Sequence, residues 1–297
     1  MRLLARAPAK VNLSLLLGGL RPDGRHELVT VFESVSLCDE LELSTLGPEA
    51  GGDEVICAGV AGPNLVAVAL QRLRARGWDG SPVRVEVSKR IPVAAGMGGG
   101  SADAAATLRL AAALREPSAA VVAHVAASLG ADVPGQLVPG ASIGTAAGDA
   151  IEPVPPLRPH ALVILPLPLG LSTADVYREA DRLGLGREPA ELESALRELR
   201  ASLCGSAGMV PAASAVNDLE PAALSLRPEI RTAMEDARSA GAQRVLVCGS
   251  GPTVAGLFFG EQAVDRAGAG AAALAGRYAG ACAAVPVDET FGAPRFG

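Results

Sequence analysis

Alternation of apolar and polar positions opens the chain. Residues 11–17 read V-N-L-S-L-L-L and residues 28–37 read L-V-T-V-F-E-S-V-S-L. A period of two predicts strands with one buried face, and the R-P-D-G at 21–24 supplies turn chemistry between them. Residues 3–60 therefore read as strand-rich. The period then lengthens to that of a helix over 64–76, with Gly77 at its end, and returns to two where Val83, Val85 and Val87 alternate with Arg84, Glu86 and Ser88. Helices are predicted over 101–114 and 118–129, then strands and connections over 141–160, a region rich in glycine and proline. A strand at 161–165 follows, then helices at 173–183, 189–203, 218–225 and 228–240. Strands at 244–248 and 254–259, a helix at 261–276 and a strand at 281–287 complete the pattern, and 204–214 reads as a mobile loop. Strands come first and helices are grouped, which predicts an α+β protein in two layers, divided into residues 1–155 and 156–297.

Composition narrows this. Of 297 residues 49% are apolar and only 3% aromatic, so the expected core is large and built from small aliphatic side chains. A net charge of −6 without a basic run excludes a nucleic-acid or anionic-lipid surface, so any anionic ligand must be held locally. Cys38, Cys57, Cys204, Cys248 and Cys282 are odd in number and lack C-x-x-C spacing, which fits a reducing cytoplasm rather than a disulfide framework or a zinc site. The three histidines are spread along the chain, and no metal cluster is expected. Lys10 and Asn12 interrupt the apolar core a signal peptide would need, and no run of about 18 apolar residues exists to span a membrane.

Candidate chemistry sits where glycine concentrates. Pro92, Val93, Ala94 and Ala95 lead into Gly96, Met97, Gly98, Gly99 and Gly100; Ser101 and Ala102 then begin an alanine-rich helix. No lysine follows Gly100, so the G-x-x-x-x-G-K-[ST] phosphate loop fails. The third glycine of G-x-G-x-x-G is missing in either register. Two readings remain: a glycine cradle whose free N–H groups and helix dipole hold an anion, or a flexible turn with Ser101 capping the helix. Two further stretches bear on the choice. P-A-K-V-N (8–12) holds Lys10, one of only two lysines among 26 basic residues; the other is Lys89. G-S-G-P-T (249–253) lies between two apolar strands, either a hairpin turn or a second cradle.

Together, in this order, the three stretches resemble the three motifs of the GHMP kinases. R-P-D-G-R-H-E-L (21–28), L-G-A-D-V-P (129–134), L-S-T-A-D-V-Y (171–177) and N-D-L-E-P-A-A (217–223) extend the resemblance over almost the whole chain. They point to the branch that phosphorylates a cytidylated methylerythritol for isoprenoid precursors. The resemblance implies an N-terminal ATP-binding domain, a C-terminal ferredoxin-like domain and an active site in the cleft between them. It implies ATP with Mg²⁺ bound at Pro92 to Ala102, a catalytic pair Lys10 and Asp132, and substrate contacts at Asn12, Arg25, His26, Thr173 and Tyr177. The third-motif loop is Gly249, Ser250 and Gly251. A cytoplasmic monomer or weak homodimer with a small-molecule substrate is expected. The alternatives are a kinase of the same fold acting on another small polyol or cyclitol phosphate, and a nucleotide-binding regulator without turnover. Two positions depart from the family's usual pattern, both on the acceptor side: Arg25 and Gly135 stand where aromatics are usual.

Overall fold

The computed structural model describes residues 1–47, 49–60, 64–205 and 208–297. Two long strands, β1 (Arg2–Leu20) and β2 (His26–Thr45), form an antiparallel hairpin at the centre of the first sheet. β3 (Glu54–Cys57) and β4 (Val83–Ser88) lie beyond the second half of β2. β5 (Ala141–Thr145) pairs with its first half and β6 (Ala150–Pro153) with β5. Helices α1 (Leu65–Ala75), α2 (Gly99–Leu114), α3 (Ala119–Leu129) and the short α4 (Asp132–Gln136) belong to this half.

The second sheet holds β7 (His160–Leu165), β8 (Arg244–Val247), β9 (Val254–Phe259) and β10 (Cys282–Ala284) in the order β10-β7-β9-β8. Between β7 and β8 run α5 (Thr173–Leu183), α6 (Pro189–Leu203), α7 (Glu220–Leu226) and α8 (Ile230–Ser239). α9 (Ala263–Leu274) links β9 to β10. Taken as β-α-β-β-α-β this is the ferredoxin-like order expected, with extra helices in the first crossover. The chain ends in α10 (Glu289–Gly292) and β11 (Arg295–Phe296), which returns to pair with β1.

β7 explains why the halves form one body. All six of its residues are buried. Ala161, Val163 and Leu165 face the core under α8 and α9, while Leu162 and Ile164 join the core of the first sheet. The same two-sided cover makes β1 buried without a break from Ala7 to Gly18, although its sequence alternates. Its polar positions are therefore held between the two sheets. The β1–β2 register slips between Asn12 and Ser14, and such bulges re-aim side chains beside functional sites.

Most predicted elements stand, α5, α6 and β9 with the expected bounds. Four differ. α2 begins at Gly99, so Ser101 lies within its first turn and does not cap it. Asp132, between the predicted helix 118–129 and the strands expected from 141, is the first residue of a short helix, α4. The last strand is short because its continuation leaves the second sheet: Ser36 N donates to Val285 O, and Val287 N to Ser34 O. In the 204–214 loop, residues 206–207 lie outside those described; the remainder is tied by Arg158 N to Gly208 O and by the buried Val210.

One buried ion pair crosses between the sheets. His160 Nε2 meets Glu33 Oε2 at 2.8 Å, and Nδ1 meets the Arg158 carbonyl at the same distance. Two acceptors require both ring nitrogens to carry protons. Burial opposes the charge, but the hydrogen bond and charge of Glu33 outweigh it and raise the imidazole pKa. The pair's contribution is complete below the ordinary histidine value of about 6.5 and is lost as pH rises through the raised value. Stability should therefore fall above neutrality by more in the native protein than in His160→Gln, measured by urea unfolding from pH 6 to 9. Equal slopes would remove this pair as the cause.

Candidate active site

A cavity of about 870 Å³ runs between the two sheets, walled by the glycine loop, α4, the tip of the β1–β2 hairpin, the start of α5 and the β8–β9 loop. Both lysines of the chain line it.

At its centre Lys10, on β1 and 6% exposed, places Nζ 3.6 Å from Asp132 Oδ2 and donates to Asn12 Oδ1 at 2.7 Å. Asn12 Nδ2 donates to Thr30 Oγ1 at 2.8 Å, and Thr30 Oγ1 to the Ser14 carbonyl at 2.6 Å. Lys10 and Asn12 are two residues apart on a strand and so share a face. This chain of bonds fixes the ammonium against a carboxylate that remains one-third exposed to the cavity. The main chain adds a tie, since Lys10 N donates to Met97 O at 3.0 Å.

The glycine loop bends above this pair. Gly96 (φ +76°) and Gly98 (φ +68°) adopt left-handed backbone, and Gly98, the residue just before α2, offers no side chain to cap it. The first amides of a 16-residue helix thus open toward the cavity with the positive end of its dipole. Pro92, Val93, Ala94, Ala95, Gly96, Gly98, Gly99, Gly100 and Ser101 line the cavity. Met97 and Ala102 do not; both are buried in the core behind the loop.

The third motif packs directly on the second. Gly251 N donates to Cys248 O at 2.8 Å, and a Cβ on Gly96 would lie 2.0 Å from that same oxygen. Asn217 Nδ2 holds this loop through the carbonyls of Val247 (2.8 Å) and Gly249 (2.6 Å). Gly249 and Ser250 reach the cavity, whereas Gly251 serves the turn. Ser250 Oγ meets Thr173 Oγ1 at 2.9 Å, joining the loop to the first residue of α5. Four residues later Tyr177 reaches the same wall. Its ring lies 5.2 Å from that of His26, whose Nε2 meets Asp181 Oδ1 at 2.7 Å. Burial, and then the charge of Asp132, push the Tyr177 phenol up to about 12, so it stays a donor. Arg25 lies at the mouth, nearly half exposed.

Several residues here escaped the sequence reading. Phe32 lines the cavity, with Lys10 Nζ 5.5 Å from its ring centroid. Gly135 lies behind that ring: a Cβ there would meet Ile151 at 3.3 Å and Phe32 at 3.7 Å. Gly135 itself does not line the cavity, and the aromatic on this part of the wall is Phe32 of β2. Lys89 bridges Asp39 and Asp103, the latter at 2.7 Å. Burial pushes the Asp103 carboxyl up to about 7 against the pull of Lys89. The rarity of lysine was the signal for that position. Arg109, on α2, donates to the carbonyls of Gln136 (2.6 Å), Arg6 (2.9 Å) and Gly292 (3.1 Å), and burial lowers its pKa to about 10. It ties the end of α4 to β1 and to the C-terminal segment. Gln136 Nε2 in turn donates to Gly98 O at 3.1 Å. The helix carrying Asp132 is thereby anchored to the strand carrying Lys10 and to the glycine loop.

The models of the GHMP kinases N terminal domain and the GHMP kinases C terminal match residues 64–140 and 190–277. The chain belongs to the GHMP kinases. It is 42% identical over 266 residues to the 4-diphosphocytidyl-2-C-methyl-D-erythritol kinase of Streptomyces coelicolor, covering 86% of this chain and 88% of that one. It is 41% identical over 292 residues to the enzyme of the same name from Thermobifida fusca, covering 94% and 92%. A crystal structure of 4-(cytidine 5'-diphospho)-2C-methyl-D-erythritol kinase superposes with a TM-score of 0.73 at 33% identity, over 95% of this chain and 98% of that chain. As a GHMP kinase the chain is an ATP-dependent phosphotransferase acting on a small molecule. Among the described residues no helix is long and apolar enough to cross a membrane.

Proposed function

We propose that this chain transfers the γ-phosphoryl group of ATP to the 2-hydroxyl of 4-diphosphocytidyl-2-C-methyl-D-erythritol, a step of non-mevalonate isoprenoid synthesis, as a cytoplasmic monomer or weak homodimer. The observation that carries this is the Lys10–Asp132 pair at 3.6 Å, facing an uncapped helix N-terminus inside one cavity. Phosphoryl transfer needs an aligned hydroxyl, charge stabilisation and a proton acceptor. The glycine amides and the α2 dipole take the phosphates of ATP. Asp132 accepts the hydroxyl proton or orients that hydroxyl. Lys10 offsets the charge developing around the acceptor oxygen and the moving phosphoryl group.

Asn12, expected to touch substrate, has both polar ends engaged within the protein, and we assign it to the positioning of Lys10. His26, Thr173, Tyr177 and Arg25 remain the acceptor contacts. The hydroxyl of Ser101 and the carboxylate of Asp132, both on the cavity wall, are oxygen donors of the kind Mg²⁺ takes beside phosphates. Bound with ATP, the ion would neutralise charge on the phosphate oxygens. The relatives named above share one acceptor, which does not favour the alternative of another polyol.

The product tests the regiochemistry. C2 of this acceptor carries a methyl group and no hydrogen, so a phosphate on its hydroxyl gives an uncoupled ³¹P phosphomonoester line. Transfer to the neighbouring secondary or primary hydroxyl would split that line by coupling to the carbon-bound hydrogens, and would contradict the proposal.

A further inference from the structure

We propose that the C-terminal segment from Val285 onward is a working part of the catalytic site: anchored at Ser34 and latched by Arg109, it sets the distance between Asp132 and Lys10. This rests on the reading above that those two residues are the catalytic pair. Neither Ser34 nor Arg109 lines the cavity, so both are positioning residues.

Ser34 is buried directly across the β1–β2 ladder from Lys10, and it holds two segments at once. Its N–H donates to the Gly140 carbonyl at 3.0 Å and its Oγ accepts from Gly140 N at 3.1 Å, which fastens the chain leaving α4. Its own carbonyl accepts from Val287 N at 2.9 Å. An irregularity in the ladder makes room for the C-terminal segment. The register passes from Pro8–Cys38 straight to Ala9–Val35, so Ser36 and Leu37 have no partners on β1. Ser36 N donates to Val285 O at 2.8 Å, and Ser36 Oγ accepts from Val285 N at 3.1 Å. The chain that leaves the second sheet is thereby tied beside the cross-strand neighbour of Lys10.

Arg109 makes the second attachment, and its partners are all main chain. It donates to Gln136 O, the last carbonyl of α4, to Arg6 O, four residues before Lys10 on β1, and to Gly292 O. β11 covers the outer edge of β1 only at Leu3 and Leu4, and the Lys10 amide is taken by Met97 O; Arg109 serves the stretch between. Gly292 lets the segment come this close: a Cβ there would lie 2.9 Å from Pro139 and 3.1 Å from Arg109 NH2. Pro139 belongs to the chain leaving α4, so segment, latch and helix exit meet at one point. The Arg6 guanidinium adds a contact to the same segment, 4.7 Å from the ring centroid of Phe291. Among the described residues no carboxylate pairs with Arg109, and burial alone lowers its pKa. Its role is thus to join backbones, which its planar fork of donors does in a fixed geometry.

The test is steady-state kinetics of the full chain on the cytidylated acceptor with γ-labelled ATP, together with unfolding midpoints. Arg109→Met keeps the length of the side chain but donates nothing. It should lower kcat about 10–10²-fold, as for a catalytic group misplaced by about 1 Å, with the KM for ATP within about twofold of native. Arg109→Lys, which keeps a donor, should recover part of that loss. Gly292→Ala presses on Pro139 and Arg109 from the C-terminal side; it should lower kcat in the same manner and add little to Arg109→Met. In the Asp132→Asn background Arg109→Met should have no further effect, since the group it positions is already gone. Equal losses in both backgrounds, or a fall in kcat matched by a rise in the KM for ATP, would overturn the positioning role. Native kcat in Gly292→Ala would overturn the part given to the C-terminal segment. Should Arg109→Met not fold, Arg109→Lys and Gly292→Ala put the same question in the same two backgrounds. A native chain without turnover on this acceptor, or Asp132→Asn with native kcat, is a different result and refutes the functional reading beneath.

Discussion

Asp132→Asn should lower kcat by about 10²–10⁴-fold, the range for losing a positioned acid–base group, while the KM for ATP stays near its native value. The amide keeps the shape of the side chain but takes up no proton and offers Lys10 no charge. Lys10 is 6% exposed and would be left with Asn12 Oδ1 as its side-chain acceptor. Because α4 is anchored through Gln136 and the Arg109 contacts rather than through Asp132, the fold should be little changed, and the loss should appear in turnover rather than in the unfolding midpoint. A variant within threefold of native kcat would remove Asp132 from the chemistry.

Gly96→Ala should damage fold and activity together. A left-handed backbone costs a residue with a Cβ about 1–2 kcal/mol, and here the added carbon would sit 2.0 Å from the carbonyl oxygen of Cys248. That oxygen belongs to backbone already bonded to Gly251 N, so the second and third motifs must separate. We expect about 3 kcal/mol of destabilisation, within the range for overpacking a close-packed contact, and a displaced phosphate cradle. Gly100→Ala is the contrasting case. Its Cβ meets only Leu65, at 3.6 Å, inside a helix, where Ala is better than Gly by about 1 kcal/mol. That variant should unfold later than the native protein yet bind ATP more weakly, because the methyl stands where the backbone approaches the phosphates. Thermal unfolding and ATP titration of the two variants separate a packing glycine from a ligand-facing one.

The contrast shows which parts of the molecule local sequence encodes. Helices with their own start signals are legible: Asn64 caps α1, Ser118 caps α3, and Pro189 begins α6 behind a capping box of Glu188 and Glu191. α4 is not legible, because D-V-P-G contains two helix breakers and its five residues are held by contacts to α2 and the glycine loop. β11 pairs with a strand almost the whole chain away, and no local period reports such a pairing. Arg109 reads as the single basic residue of an alanine-rich helix; its partners are carbonyls from three distant segments. The buried run in β1 has a similar origin. Its alternation predicts one solvated face, but the second sheet covers that face, and Lys10 and Asn12 become buried polar groups at a site. The candidate site was legible at the glycines from their concentration before a helix, and at Lys10 and Asp132 through the resemblance to the GHMP kinases. It was not where a neighbouring element supplies the wall, as β2 does with Phe32.

ADP release in the presence of Mg²⁺-ATP, measured across a panel of acceptors, tests the central claim most directly. The panel holds 4-diphosphocytidyl-2-C-methyl-D-erythritol, its fragments cytidine diphosphate and methylerythritol phosphate, homoserine, mevalonate and a cyclitol phosphate. The account predicts turnover confined to the intact cytidylated acceptor, since the cavity must hold base, diphosphate and polyol together to bring the hydroxyl to Asp132. Turnover with another member of the panel, and none with the cytidylated one, would contradict it.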